Sequence, residues 1–299
     1  MSSTDGRFDL PTAHGDPSYG PVSRSVRRVT TADGSLPVRY LARRVGEPIV
    51  IDGDLSKPVW TAAEQSGRFV DMVDGGPALY DTRMAALWDD DFLYVAMWAQ
   101  EPFLAATQTE RDSIVFVDND LEVFVDGGDA YYEFEVNALG TVYEVLFVWK
   151  DALISGGRFD RADLDIRSPR ALTFAGDYDR SGQMFWNGSH PRGPRWAFLD
   201  FDLPGMQVAV KVDGTVNDHR DIDRGWTVEL ALPWQALCWM ADRPPVSLGD
   251  QWRVFFGRFQ RLVASGVEVQ PHPASVLSPH GTYDTHLPDR FPIVELGPA

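Results

Sequence analysis

The sequence predicts an all-β protein, an antiparallel jelly-roll-like sandwich, and three observations carry that reading. Short runs rich in Val, Phe, Tyr and Trp recur at hairpin spacing between Asp, Gly and Pro turn signals. Within several of these runs polar and apolar residues alternate, as a strand with two unlike faces requires. Long amphipathic helical patterns are almost absent. With 299 residues, of which 44% are hydrophobic and 12% aromatic, the chain can bury a large core and is not disordered.

Residues 1–40, rich in Gly, Pro, Ser and Arg without apolar periodicity, are read as an N-terminal arm, and 41–299 as one sandwich domain. The first strands are expected at 48–51, 82–88 and 92–98, the last two joined by the turn Asp89-Asp90-Asp91. Strands at 121–125, 131–137 and 141–149 follow, with Ala138-Leu139-Gly140 as a short connection. In 131–137 Glu133, Glu135 and Asn137 fall on one face, and Tyr132, Phe134 and Val136 on the other. Later strands are expected at 207–212, 226–232, 252–259 and 291–296, with one short helix at 233–240 that has proline in its first turn. Between them, 151–204 reads as a long loop insertion whose aromatic load favours order.

A net charge of −17 argues against a nucleic-acid partner, which needs clustered Lys and Arg, and against an acidic membrane surface. No apolar run reaches membrane-spanning length. The first twenty residues show no basic start followed by an apolar segment, so a cytoplasmic location is expected. Cys238, the single cysteine, lies among Ala236, Leu237, Trp239 and Met240 and reads as an inert core thiol.

Several strings in consistent order resemble the carbohydrate-binding family 9-like sandwich. They are IDGDLSKPVW (51–60), WDDDFLYVAMWAQEP (88–102), DNDLEVFVD (118–126), YYEFEVNALGTVYE (131–144), DGTVNDHRDIDRGWTVELALPW (213–234), GDQWRVFFGR (249–258) and SPHGTYDTHLPDRF (278–291). The likeness runs from about residue 47 to the C-terminus. It implies a sugar end clasped between two aromatic rings, with polar groups hydrogen-bonding the hydroxyls. Carried over by position, Glu122 takes the carboxylate place, and Phe116 takes the first aromatic place, ordinarily Trp. The second aromatic place falls in the loop offering Tyr283, Thr285 and His286, and Glu135 stands where sugar binders have Arg.

The candidate ligand-binding residues are therefore Phe116, Glu122, Glu135, Asn137, Tyr283, His286 and, from the insertion, Trp186. A plainer reading stands beside each. Glu122 could be a solvated face residue. Glu133, Glu135 and Asn137, with Glu144 on the next strand, form either a polar ligand floor or the wet side of a sheet. Clustered carboxylates there would need a cation, an Arg or a proton, and Arg83, Arg253 and Arg258 are candidate partners.

No cofactor is expected, although the resemblance leaves room for a structural calcium. The run Asp213, Asn217, Asp218, Asp221, Asp223 has a calcium-loop composition without EF-hand spacing and is read first as a metal-free acidic turn; Asp218, Asp221 and Asp223 are its weak metal candidates. His272 and His280 are read as ordinary loop histidines, since no zinc spacing fits. Trp226, Trp234, Trp239 and Trp252 read as core, while Trp186 and Trp196 are either lid or ligand platform.

The leading functional expectation is a non-catalytic binder of a sugar or glycosylated small molecule at one end of the sandwich. Catalytic signatures are scarce: the chain has no G-x-S-x-G elbow, P-loop, dinucleotide fingerprint or H-E-x-x-H helix. The alternative is a hydrolase, lyase or isomerase/cyclase without redox cofactor, acting on a carbohydrate or a small polycyclic or glycosylated metabolite. Its acid–base groups would be Glu122, Glu135 and His286. A third reading is a scaffold that docks a partner through the aromatic insertion.

Overall fold

The structure, a computed structural model, describes residues 37–175, 190–218 and 220–299. The arm up to residue 36 and Trp186 lie outside the described residues. The described strands are β1 (Arg39–Arg44), β2 (Val70–Asp71), β3 (Thr82–Trp88), β4 (Phe92–Gln100), β5 (Asp120–Asp126), β6 (Ala130–Asn137), β7 (Val142–Trp149), β8 (Ala171–Phe174) and β9 (Arg195–Phe198). They continue as β10 (Gln207–Asp213), β11 (Gly225–Pro233), β12 (Gln251–Phe259), β13 (Val263–Ala264), β14 (Val267–Glu268), β15 (Ala274–Val276) and β16 (Ile293–Leu296). Helices α1 (Pro58–Ala62) and α2 (Trp234–Ala241) are both short.

One leaf runs β10-β11-β4-β3-β1 and the other β12-β5-β6-β7-β9-β8, with β16 joining them between β1 and β12. Neighbours are antiparallel except that β1 runs parallel to both β3 and β16. The leaves share one core. Met84, Ala86, Val95 and Met97 from the first meet Leu121, Val123, Tyr132, Phe134 and Phe256 from the second. The inward set on β6 is Tyr132, Phe134 and Val136, as the alternation requires. Trp226, Trp234 and Trp252 are core, and Trp239 packs at its margin.

Three segments depart from the sequence reading. Residues 48–51 form no strand; Ile49 and Ile51 instead pack with Trp60 in a side cluster. The first strand is β1, which begins inside the expected arm. Its Tyr40 and Ala42 point inward between Arg39, Leu41 and Arg43, so interleaved arginines masked a real period of two. The 151–204 insertion is not simply a loop, because β8 and β9 extend the second leaf beside β7. Trp196 therefore has a sheet to pack on, and the Lys150 ammonium sits 5.0 Å from its ring centroid.

The string at 51–60 folds around one buried carboxylate. Glu229 of β11 accepts hydrogen bonds from the backbone N–H groups of Asp52 (2.8 Å) and Gly53 (2.9 Å), from Trp60 Nε1 (2.7 Å) and from Lys57 Nζ (2.7 Å). Gly53 takes φ +78°, and a Cβ there would press on the Val210 backbone at 3.1 Å, so glycine is required.

Candidate functional site

The outer face of the second leaf carries most of the residues singled out by sequence. Glu122 on β5 lies directly across from Glu135 on β6, and Asp120 across from Asn137. Gly257 on β12 faces Glu122 on one side, and Tyr143 on β7 faces Glu135 on the other. Glu133, two residues before Glu135, shares this face.

This face is not the wet side of a sheet. Asp120 is 0% exposed, Glu122 2% and Glu135 3%. The outward residues of β7, which are Tyr143, Val145, Phe147 and Trp149, form an apolar cluster with Tyr131 and Ala197. On the other flank Phe124, Phe255, Phe259 and Phe291 form another. The loops around 101–119 and 270–291 thus cover the sheet, and the acidic row is sealed between two aromatic patches.

Burial sets the electrostatics. Desolvation, followed by the charges of Glu122, Glu133 and Asp120, drives the Glu135 carboxyl well above the usual carboxylate range. Glu133 and Glu135 also hydrogen-bond each other, which requires one of them to hold a proton. Asp120 is likewise pushed well up by burial, against the opposing hydrogen bond it accepts from Phe259 N at 3.0 Å.

None of the three expected arginines forms an ion pair with this row, although the charge of Arg258 acts on Asp120. Arg258 turns to the core face, where it binds Glu101 at 2.8 Å. Arg83 pairs with Asp81 on the other leaf, and Arg253 donates to the carbonyl of Asp289. Glu144 is also misplaced by the sequence reading. It pairs in register with Phe134, so it faces the core, where it bonds Tyr132 Oη and the Leu203 N–H and pairs with Arg111.

His286 sits beside the row. Its Nδ1 lies 3.0 Å from Tyr131 Oη and 3.6 Å from Glu133 Oε2, and its ring is enclosed by Phe124, Phe147 and Phe174. Arg195, also buried, donates to the His286 carbonyl at 3.1 Å and lies over the rings of Tyr131, Trp149 and Phe174. Burial holds the Tyr131 hydroxyl protonated, its pKa driven well up. Tyr131 and Arg195 were not among the sequence candidates, and Glu133 was grouped there only as part of a possible ligand floor. Glu133 carried a signal, the alternation it shares with Glu135, whereas Arg195 sits in a segment with no readable period.

Phe116 is 44% exposed on a 3₁₀ turn and meets Tyr143 edge-on at 6.1 Å. Tyr283 packs edge-on against Phe259 at 5.8 Å and donates its hydroxyl to the His272 carbonyl. Since Tyr143 faces Glu135 and Phe259 faces Asp120, the two aromatics flank the acidic row from opposite sides. Asn137 has a framing role. Its amide donates to Asp118 and to the Gln108 carbonyl, and its Oδ1 accepts from the N–H groups of Leu139 and Thr141.

The 213–223 run is an internally bonded turn. Asp223 accepts from the N–H groups of Leu104 and Thr215, Asp221 from the Thr215 hydroxyl, and Asp218 pairs with Arg220. On the first leaf's outer face lies an open depression of about 650 Å³ around Trp98, rimmed by the ion pairs Arg83–Asp81 and Lys211–Asp54. Among the described residues no helix is long and apolar enough to cross a membrane.

No protein-family model matches the chain, and no curated protein matches it. Solved structures do. A candidate carbohydrate-binding protein from Bacteroides uniformis superposes with a TM-score of 0.51 at 14% identity, covering 87% of this chain and 99% of that one. The chain shares that protein's fold. Two structures of a family 9 carbohydrate-binding module from Caldicellulosiruptor kristjanssonii, one in complex with cellotriose and one with glucose, superpose at 0.49 and 0.47 with 13% and 14% identity. They cover the same 87% of this chain, and 94% and 96% of their own. At 14% identity the likeness to the Bacteroides uniformis protein speaks of fold alone, and function must be argued from the site.

Proposed function

We propose that this chain is a non-catalytic carbohydrate- or glycoside-binding protein whose ligand is received at the Phe116 edge of the acidic row. The observation that carries the reading is the pairing of an exposed aromatic, Phe116 against Tyr143 of β7, with two carboxylates, Glu135 one strand further in and Glu122 two. A sugar's C–H face stacks on such a ring, and its hydroxyls are donors that buried carboxylate oxygens accept. Because Glu122 and Glu135 are covered, the ligand displaces part of the cover, and association is slow compared with an open groove. A thermal-shift screen of mono- and oligosaccharides and glycosides tests this, since a ligand of the folded state raises the melting temperature. A hit that Trp98→Ala abolishes and Phe116→Ala leaves intact would move the site to the open depression on the other leaf.

A second reading, catalysis on a carbohydrate or a small polycyclic or glycosylated metabolite, is favoured by one observation: the buried contact of His286 with Glu133 and Tyr131. Groups poised this way suit proton transfer. If a bound ligand is converted and His286→Asn abolishes conversion while keeping binding, the enzyme reading replaces the first.

A further inference from the structure

We propose that Asp120, Glu122 and Glu135 form a buried binding site for a hard divalent cation of the calcium or magnesium class. One carboxylate oxygen from each lies within 4.8 Å of the others. An ion bonded at about 2.3–2.6 Å spans that separation. The donors are all oxygen, which favours calcium, magnesium or manganese over thiolate- and imidazole-seeking metals.

Clustering alone would not suffice. A second observation is that Asp120 Oδ2 and Glu135 Oε2 accept no hydrogen bond among the described residues, although Asp120 is 0% and Glu135 3% exposed. Buried polar atoms are almost always satisfied, and a bare one calls for an ion or proton the coordinates do not show. The basic groups around the second leaf are committed elsewhere: Arg258 to Glu101, Arg111 to Glu144, and Arg195 to the His286 carbonyl within an aromatic box. A resident cation would neutralise the repulsion between Glu122 and Glu135 and use the two open oxygens at once. This site is distinct from the 213–223 turn, whose carboxylates already hold backbone and side-chain partners.

The inference shares Glu122 and Glu135 with the sugar reading but does not rest on it, because protein oxygens hold the ion and it is measured with no sugar present. The test uses the full chain stripped with EDTA, then titrated with CaCl₂, MgCl₂ or MnCl₂ while native mass spectrometry counts ions and thermal unfolding is followed. We expect one ion per chain and a melting-temperature rise of about 5 °C at a hundredfold excess over Kd. Asp120→Asn and Glu135→Gln should each weaken binding at least tenfold. Should Asp120→Asn not fold, Glu135→Gln decides, since it relieves repulsion. Absence of a bound ion in the wild type, or undiminished binding in the variants, overturns the proposal. A failed sugar screen leaves it standing.

Discussion

Glu122 and Glu135 are direct cross-strand partners on β5 and β6, and both are buried. Like charges placed opposite each other in a sheet destabilise it, and burial multiplies the effect. The pair is thus a strained electrostatic feature of the second leaf, and the geometry around it sets several expectations.

The first concerns pH. Glu135 has a folded pKa raised well above its ordinary value of 4.5 by burial, then by Glu122, Glu133 and Asp120, with only the Tyr143 phenol facing it from β7. A raised acid keeps its proton when folded at pH values where the unfolded chain has released it. The folded state therefore loses stability as pH rises from about 4.5 toward the folded pKa. In EDTA, Glu135→Gln should flatten this loss and exceed the wild type in stability at pH 8. Urea unfolding at several pH values measures the difference, and equal slopes would argue against a strained carboxyl.

Arg258 and Glu101 form the opposite case, a buried pair of unlike charge on the core side. Their 2.8 Å contact is reinforced by Thr82 Oγ1 on the arginine and by Gln260 and Asn119 on the carboxylate. Arg258→Met leaves Glu101 buried without its cation, and a loss of about 3–5 kcal/mol is expected. A smaller loss for the double variant Arg258→Met/Glu101→Leu in chemical denaturation would confirm that the orphaned charge is the cause.

Glu229 anchors the 51–60 segment through four donors. Glu229→Ala leaves the Trp60 indole N–H and the backbone N–H groups of Asp52 and Gly53 without their acceptor, while Lys57 keeps Asp52, so stability should fall by about 3 kcal/mol. Trp60 fluorescence should report local loosening before global unfolding. Unchanged emission would mean that the segment is held by its apolar contacts alone.

Much of this arrangement was legible in the sequence, and the misses have physical reasons. The period of two in YYEFEVN placed Tyr132, Phe134 and Val136 in the core and grouped Glu133 with Glu135. Glu144 was assigned to the wrong face because strand register depends on turn geometry. In the 137–141 turn Asn137 Oδ1 receives both Leu139 and Thr141, and this pairs Val136 with Val142. That the acidic face is covered was also readable. VYEVLFVW of β7 is apolar on both alternating sets, a mark of a strand buried on both sides. Asp120 stands one strand period before Glu122 and could have been grouped with it. Arg195 could not, since nothing in 151–204 announces that β9 will lie beside β7.

Isothermal titration calorimetry of the wild type, Phe116→Ala and Glu122→Gln, using the sugar or glycoside that gives the largest thermal shift, tests the central claim most directly. The account expects saturable binding by the wild type, at least tenfold weaker binding on loss of the Phe116 ring, and a comparable loss when Glu122 can no longer accept as a carboxylate. Affinity unchanged in both variants would contradict it.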